Sequence, residues 1–512
     1  MYTIQNNILF FLKKISFVHI RDTILCYYEN GIISKGIVFM RKTKIVCTLG
    51  PACLNEETLE QMLKNGLNVA RFNFSHGTHE YHKNAMALFR RVRDRLDLPA
   101  AILLDTKGPE IRLRDFEGGK ITLKKGDTFT LTTNDIMGDA TRASITFQDL
   151  PRQLDEGTRL LLDDGNVAMT VIETTETDIV CRVDVGGPLS NHKSINIPNF
   201  HIDMPYLSEQ DKADLIFGIE QNVDFVAASF VRCREDVIAL RKFLDYHGGH
   251  NIKIISKIEN IEGVNNFDAI LRHSDGIMIA RGDMGVEVAF ERLPGLQKRF
   301  IRKCYQSGKM VITATQMLES MIHSNTPTRA EITDVANAVF DGTSAVMLSG
   351  ETAAGDHPAR VVEVMAQIAE QAEEDAFDMD MYQGIRYDFD TSDVTNAICD
   401  AAATTARDVG AKVIIAVTTS GLTARRVSKF RPQQMIVAAT PERRTYHQLS
   451  LSWGVIPVLA LHQNNTDALF THAIDCAKQN DLVSTGDKAV ITAGVPLGIE
   501  GTTNLLKVQI VQ

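Results

Sequence analysis

Lys257 and Glu259 stand two residues apart in the run Ser256-Lys257-Ile258-Glu259-Asn260. On an extended strand that spacing turns both side chains to the same face. A Lys–Glu pair can be a structural ion pair and nothing more. With Asp283, from Ala280-Arg281-Gly282-Asp283, Glu259 can instead form a two-carboxylate site for a hard cation such as Mg²⁺ or Mn²⁺, completed by substrate oxygens. Lys257 then acts as a point charge beside an anionic substrate. The stretch Gly282 to Gly285 opens toward a possible helix, whose first N–H groups suit a carboxylate or phosphate. Similar polar strings close other apolar runs: Arg71-Phe72-Asn73-Phe74-Ser75-His76-Gly77, Asp105-Thr106-Lys107-Gly108-Pro109-Glu110-Ile111-Arg112, Thr313-Ala314-Thr315-Gln316 and Ser349-Gly350-Glu351. Any one of them could be an ordinary polar loop, but six converging loops are hard to read that way.

The elements that would position these groups alternate between short β-branched runs and segments of helical period, the pattern of βα units on a parallel sheet. Eight such runs occur: Lys44 to Leu49, Asn68 to Phe74, Ala100 to Asp105, Asp224 to Ser229, Lys253 to Lys257, Gly276 to Ala280, Met310 to Ala314 and Ala345 to Leu348. Amphipathic helices are expected at Glu80 to Leu96, Glu209 to Gln221, Leu296 to Ser307 and Arg329 to Phe340. The pattern predicts an α/β protein built on a TIM (β/α)8 barrel from residues 40–108 and 206–383, about 250 residues, with a doubly wound open sheet as the alternative. In a TIM barrel the strand ends named above form one rim, where active sites lie. Residues 109–205 alternate Val, Thr, Ile and Leu around turn signals, predicting an inserted all-β domain. An acidic linker is expected near Glu373 to Asp380. Residues 384–512 then form a C-terminal α/β domain with strands at Val413 to Val417, Met435 to Ala439, Ile456 to Leu459, Ala489 to Thr492 and Leu506 to Val511.

Composition narrows the function classes. Across 512 residues, 44% are hydrophobic and 23% charged. No apolar tract approaches the roughly 18 residues of a membrane span, so no membrane partner is expected. A net charge of -10 gives no reason for whole-surface binding to nucleic acid. The eight cysteines are scattered without CxxC pairs and read as free thiols in a reducing cytoplasm. No G-x-x-x-x-G-K-[ST] loop exists, because Gly119-Lys120 and Gly308-Lys309 run on into Ile and Met; P-loop kinases are excluded. Residues 1–39 lack a signal-peptide pattern, and Met40 is read as the start of the fold or of the natural chain, with a short accessory segment as the alternative.

From Met40 to Gln512 the sequence resembles the bacterial, three-domain pyruvate kinases, which implies that residues 109–205 are a β-barrel lid domain and residues 384–512 a regulatory domain. KIVCTLGPA, NVARFNFSHGTHEYH, LLDTKGPEIR, IISKIEN, ARGDMGVE, TATQMLESM and MLSGETAAGDHP stand in the family's order. The resemblance implies a glycolytic enzyme that moves the phosphoryl group of phosphoenolpyruvate to ADP, giving pyruvate and ATP. It implies that Lys257 stabilises the moving phosphoryl group and the enolate, that Arg71 contacts the phosphoryl group, and that Gly282, Asp283 and Thr315 hold the substrate carboxylate. Glu259 and Asp283 would bind Mg²⁺; Asn73, Ser75, Asp105 and Thr106 would bind K⁺; Asn73, His76, Arg112 and Lys193 would meet the nucleotide. Thr315, Ser349 and Glu351 could place a proton relay to the enolate. Relatives with Glu at the position of Glu110 need K⁺, whereas those with Lys there do not.

The resemblance also implies a homotetramer with an effector site. Thr418-Thr419-Ser420-Gly421-Leu422-Thr423 precedes a helix near Ala424 and resembles the family's effector-phosphate loop, although a helix cap is the plainer account. The segment Gly498 to Asn504 resembles the glycine loop that closes over the sugar. Leu469 stands where bisphosphate-activated relatives carry arginine, so a sugar monophosphate or AMP is the expected effector. Ser194 and Asn199 depart from the family's glycines, which matters if those sites need positive φ. An aldol-type lyase using Mg²⁺ and a pyruvate enolate is the competing enzyme class, and a non-catalytic metabolite sensor the competing binding class.

Overall fold

Eight runs of mainly aliphatic residues pair into a closed parallel barrel: Lys44–Thr48, Val69–Asn73, Ala101–Asp105, Phe225–Ala228, Lys253–Ile258, Gly276–Ala280, Met310–Ala314 and Ala345–Leu348. The eighth strand pairs with the first from Ala345↔Lys44 to Leu348↔Cys47, so the open-sheet alternative fails. Strand alternation sends Val46, Leu103, Phe225, Ile255, Met278 and Ile312 into the barrel interior. Their neighbours Ile45, Ile102, Val226, Ile254, Ile277 and Val311 pack outward in the layer shared with the helices. Burying each such side chain contributes roughly 1.5–3 kcal/mol. Polar groups are therefore tolerated only where the strands end, which concentrates them at the rims.

The computed structural model describes residues 16–20, 23–27, 41–198, 200–382, 393–463, 465–497 and 502–512. Two units are distinguished, Met1–Met40 and Arg41–Gln512. In the first, Ser16–Ile20 pairs antiparallel with Thr23–Tyr27; the reading of Met40 as a start lies outside the described residues.

The helices around the barrel begin where capping chemistry allows. Thr78 accepts the Tyr81 N–H at the head of His79–Arg95. Ser208 and Asp211 form a capping box before Glu209–Glu220, as do Thr328 and Glu331 before Arg329–Phe340. The helix expected from Leu296 starts earlier, at Leu293, because Pro294 fits a first turn whose N–H groups need no partner.

Between the third and fourth barrel strands the chain builds an antiparallel-rich sheet. Its seven strands are ordered Ile111–Arg112, Ser194–Asn196, Arg159–Leu162, Val167–Thr174, Asp178–Val185, Thr128–Thr132 and Arg142–Ser144. Phe129, Leu131, Leu160, Leu162, Met169 and Ile179 form its separate core. The turn signal at Asp163-Asp164-Gly165 is realised with φ of 52°, 54° and 86°, conformations that Asp and Gly tolerate. Ser194 lies in a strand and is not among the positive-φ residues, so serine there carries no backbone penalty. Asn199 lies outside the described residues.

The acidic linker near Glu373 is corrected. Residues Pro358–Asp378 form one helix, and Glu373 is buried, accepting the N–H groups of Lys42 at 2.8 Å and Thr43 at 2.5 Å. A stripe of Ala366, Ala369, Ala372 and Ala376 faces inward, while the acids of the same stretch mostly occupy other faces and mimic a linker in composition. Beyond it, Val455–Leu459, Met435–Thr440, Val413–Val417 and Lys488–Gly494 lie parallel, with Thr503–Ile510 antiparallel at the edge. Apolar clusters cover both faces of this sheet.

Candidate active site

The end of the fifth barrel strand places the Lys257 ammonium among three acceptors. Ser229 Oγ lies at 2.8 Å, Glu259 Oε1 at 2.9 Å and Asp105 Oδ1 at 3.2 Å. Only 10% of the lysine side chain is exposed, too little for water to replace these partners. Burial works against its charge, but Asp105 and Glu259 outweigh burial and hold the amine well above its ordinary range. Asp105 is also bound through Oδ2 by Arg71 Nε at 2.6 Å, and Arg71 reaches Thr48 Oγ1 at 2.8 Å. Burial favours the neutral acid of Asp105, yet Arg71 and Lys257 reverse that and keep its pKa below the usual value. Strands one, two, three, four and five are thus joined through side chains.

Glu259 is fully buried and accepts the Phe230 N–H through Oε2 at 2.6 Å. Phe230 adopts φ 52°, a left-handed conformation uncommon for an aromatic residue, and it aims that N–H at the carboxylate. Burial pushes the Glu259 carboxyl up, and Asp283 adds to the effect against the pull of Lys257. Asp283 lies in the first turn of the short helix Arg281–Glu287. The donor set is two carboxylates with hard oxygens, one buried and one half-buried. That chemistry fits a divalent cation completed by substrate oxygens, while among the described residues no cluster of three or more His, Cys, Asp or Glu side chains is poised to hold a metal alone.

Thr315 has φ 70° and Gln316 φ 53°. For a β-branched residue such a conformation costs roughly 1–3 kcal/mol and persists only where neighbours enforce it. Arg281 does so, donating to the carbonyls of Thr315 at 2.6 Å and Ala314 at 3.3 Å while paired with Asp334. The Thr315 hydroxyl consequently receives the Gly282 N–H at 2.9 Å. Glu351 is buried and accepts the N–H groups of Ser349 and Leu318 at 2.6 and 3.2 Å. The buried Ser349 hydroxyl has no partner among the described residues.

Asn73 Oδ1 accepts the Ser75 N–H at 3.1 Å, and Thr106 Oγ1 accepts the Ser229 N–H at 3.1 Å. Asn73 and Asp105 are direct partners in the strand register, so the four expected K⁺ ligands come from neighbouring strand ends. A cleft of about 320 Å³ between the inserted sheet and the barrel is lined by Arg112, Lys193, Asp163, Asp283 and Glu287. Arg112 forks onto Glu110 at 2.7 and 3.0 Å, and Lys193 pairs with Asp163 at 2.6 Å. These cations are engaged by local acids. His76 does not line the cleft; it is exposed, and its carbonyl meets His82 Nε2 at 2.8 Å.

No role at the site is expected for Ser229, Phe230 or Arg281, although Ser229 ends the fourth run and Arg281 stands in the Ala280-to-Asp283 string. The first two follow the fourth strand and carry no charge, so composition marks neither of them. In the C-terminal sheet, Thr418 Oγ1 receives the Gly421 N–H at 2.9 Å, and Gly421 adopts φ 79°. The helix that follows starts at Leu422 instead of Ala424. Thr423 is buried with its hydroxyl against Thr503 at 2.8 Å, while Thr419 is exposed. Of the expected glycine loop, residues 498–501 lie outside the described residues.

Residues 40–362 match the family described as pyruvate kinase, barrel domain, and residues 396–509 match pyruvate kinase, alpha/beta domain. The pyruvate kinase of Clostridium acetobutylicum is 47% identical over 474 residues, covering 92% of this chain and 100% of the relative. That of Staphylococcus haemolyticus is also 47% identical over 474 residues, covering 92% of this chain and 81% of the relative. A crystal structure of a pyruvate kinase from Cryptosporidium parvum aligns with a TM-score of 0.85 at 40% identity, covering 94% of this chain and 98% of that one.

Proposed function

The chain belongs to the pyruvate kinase family and is a phosphotransferase acting on phosphoenolpyruvate and ADP, and we propose how its strand-end groups carry the reaction. The observation that carries this reading is the buried Lys257 ammonium, held by three strands at the barrel mouth. Phosphoryl transfer asks a protein for positioning and charge neutralisation more than covalent help. Lys257 and Arg71 bring fixed positive charge to the moving phosphoryl group, and Lys257 remains beside the enolate that transfer leaves behind. The Gly282 and Asp283 backbone with Thr315 holds the substrate carboxylate. Thr315, Ser349 and Glu351 place the proton that returns to carbon.

The family generally uses Mg²⁺ and K⁺. Glu259 and Asp283 would hold Mg²⁺ (or Mn²⁺), which when bound neutralises phosphoryl oxygens. Asn73, Ser75, Asp105 and Thr106 would hold K⁺. Arg112 and Lys193, now paired with Glu110 and Asp163, would turn to the nucleotide phosphates, with Asn73 and His76 beside them. The inserted sheet over residues 109–205 would act as a lid that keeps water from the phosphoryl group. ADP-dependent formation of pyruvate from phosphoenolpyruvate is the expected assay result; ADP-independent cleavage of a substrate would favour the lyase reading.

Two dependences follow. Glu110 supplies none of the positive charge that a lysine at its position would bring, so turnover should fall at least roughly tenfold when Na⁺ replaces K⁺. Equal rates in the two salts would remove K⁺ from the reading. For regulation, the Thr418-to-Gly421 turn at the head of a helix suits a phosphate, and Leu469 offers no charge for a second one. A sugar monophosphate or AMP should therefore activate a homotetramer better than fructose 1,6-bisphosphate. Because Thr423 is buried against Thr503, charge is better introduced at exposed Thr419. Thr419→Glu should abolish activation, measured as the ratio of activated to unactivated turnover; an unchanged ratio would move the effector elsewhere.

A further inference from the structure

Lys257 has three N–H bonds and three acceptors, and the three acceptors are not alike. Asp105 and Glu259 are carboxylates with other duties: Asp105 is bound by Arg71, and both are proposed above as cation ligands. Ser229 is neutral. Its Oγ lies 2.8 Å from Lys257 Nζ, 2.6 Å from the Thr106 carbonyl and 3.1 Å from Asp105 Oδ1. Donation of the hydroxyl proton to either of those two oxygens leaves an oxygen lone pair aimed at the ammonium.

The serine is clamped from every side. Its N–H donates to Thr106 Oγ1 at 3.1 Å, and its carbonyl accepts the Tyr206 hydroxyl at 3.1 Å. Gly108, at φ 76°, approaches so closely that a Cβ there would sit 2.9 Å from both the Ser229 Cβ and its carbonyl oxygen. Ser229 is 1% exposed. A neutral acceptor held this rigidly fixes the ammonium without cancelling the charge that the reaction needs, whereas a third carboxylate would leave that charge overcompensated.

We infer that Ser229 is a positioning residue for Lys257, setting where the ammonium points while Asp105 and Glu259 answer to the other charges of the site. The inference rests on the catalytic reading of Lys257. It distinguishes Ser229 from a core serine by predicting that its contribution exists only while Lys257 is present.

The test is a double-mutant cycle on the full-length protein with phosphoenolpyruvate, ADP, Mg²⁺ and K⁺. Ser229→Ala should lower kcat by about tenfold or more, a fraction of what one charged group contributes, with KM for both substrates nearly unchanged. The thermal midpoint should stay close to that of the parent. Ser229→Thr, which restores the hydroxyl, should recover most of the loss. In a Lys257→Met background, Ser229→Ala should have no further effect on kcat. Additive losses in the two backgrounds, or a kcat for Ser229→Ala near the parent's, would overturn the assignment. A fall in kcat matched by a lowered thermal midpoint and restored by added osmolyte would reduce Ser229 to packing. Near-normal turnover of Lys257→Met alone would instead overturn the mechanism on which the inference stands.

Discussion

Lys257→Met should lower turnover at least about a hundredfold, the scale of losing one preorganised electrostatic group. Methionine keeps the bulk and the flexible stem but removes the charge. It also leaves Asp105 and Glu259 facing each other across a buried site that Lys257 now bridges at 3.2 and 2.9 Å. Arg71 still pairs with Asp105 at 2.6 Å, so the carboxylates are not wholly uncompensated and the fold should survive. The loss should fall on kcat, because the charge is needed most where negative charge develops. Steady-state kinetics at saturating phosphoenolpyruvate and ADP measure it, and a kcat within a few-fold of the parent would remove Lys257 from the mechanism.

Glu259→Ala should weaken the divalent metal, with apparent Mg²⁺ affinity falling by at least about tenfold, as when an oxygen ligand is lost from a site with few. The substitution also frees the Phe230 N–H, whose bond to Glu259 is 2.6 Å long, and leaves Lys257 with one fewer partner. Turnover at limiting Mg²⁺ should therefore drop steeply and recover in part as Mg²⁺ rises. A titration that superimposes on the parent's would show that Glu259 serves only as the counter-ion of Lys257.

The barrel is legible because its strands are buried on both faces, so each run from Lys44 to Leu348 is nearly unbroken aliphatic sequence bounded by polar residues. Once the runs are counted, Lys257, Glu259 and Asp283 fall on one rim by geometry alone. Ser229 falls on the same rim as the end of the fourth run, but its role is not legible in this way. Its partners are Lys257, 28 residues on, and Asp105, 124 residues back, and a small neutral residue gives no compositional sign of such contacts. Glu373 misleads for the opposite reason, since a run of acids on one part of a helix resembles a linker when the inward alanine stripe is overlooked. The pairing of Lys193 with Asp163 and of Arg112 with Glu110 likewise depends on how the inserted sheet folds back. It shows cations already satisfied where the pattern suggests free ones. Thr423 belongs to the expected loop by sequence, but the edge strand turns it inward against Thr503.

The central claim is that one buried ammonium serves both the moving phosphoryl group and the enolate. It is tested most directly by proton exchange at the methyl group of pyruvate, followed by NMR in D₂O with Mg²⁺, K⁺ and ATP. That exchange passes through the enolate alone, whereas turnover needs both halves of the reaction. Lys257→Met should lose exchange and turnover together, each by at least about a hundredfold. Exchange that persists at the parent's rate while turnover collapses would contradict the claim and confine Lys257 to the phosphoryl group.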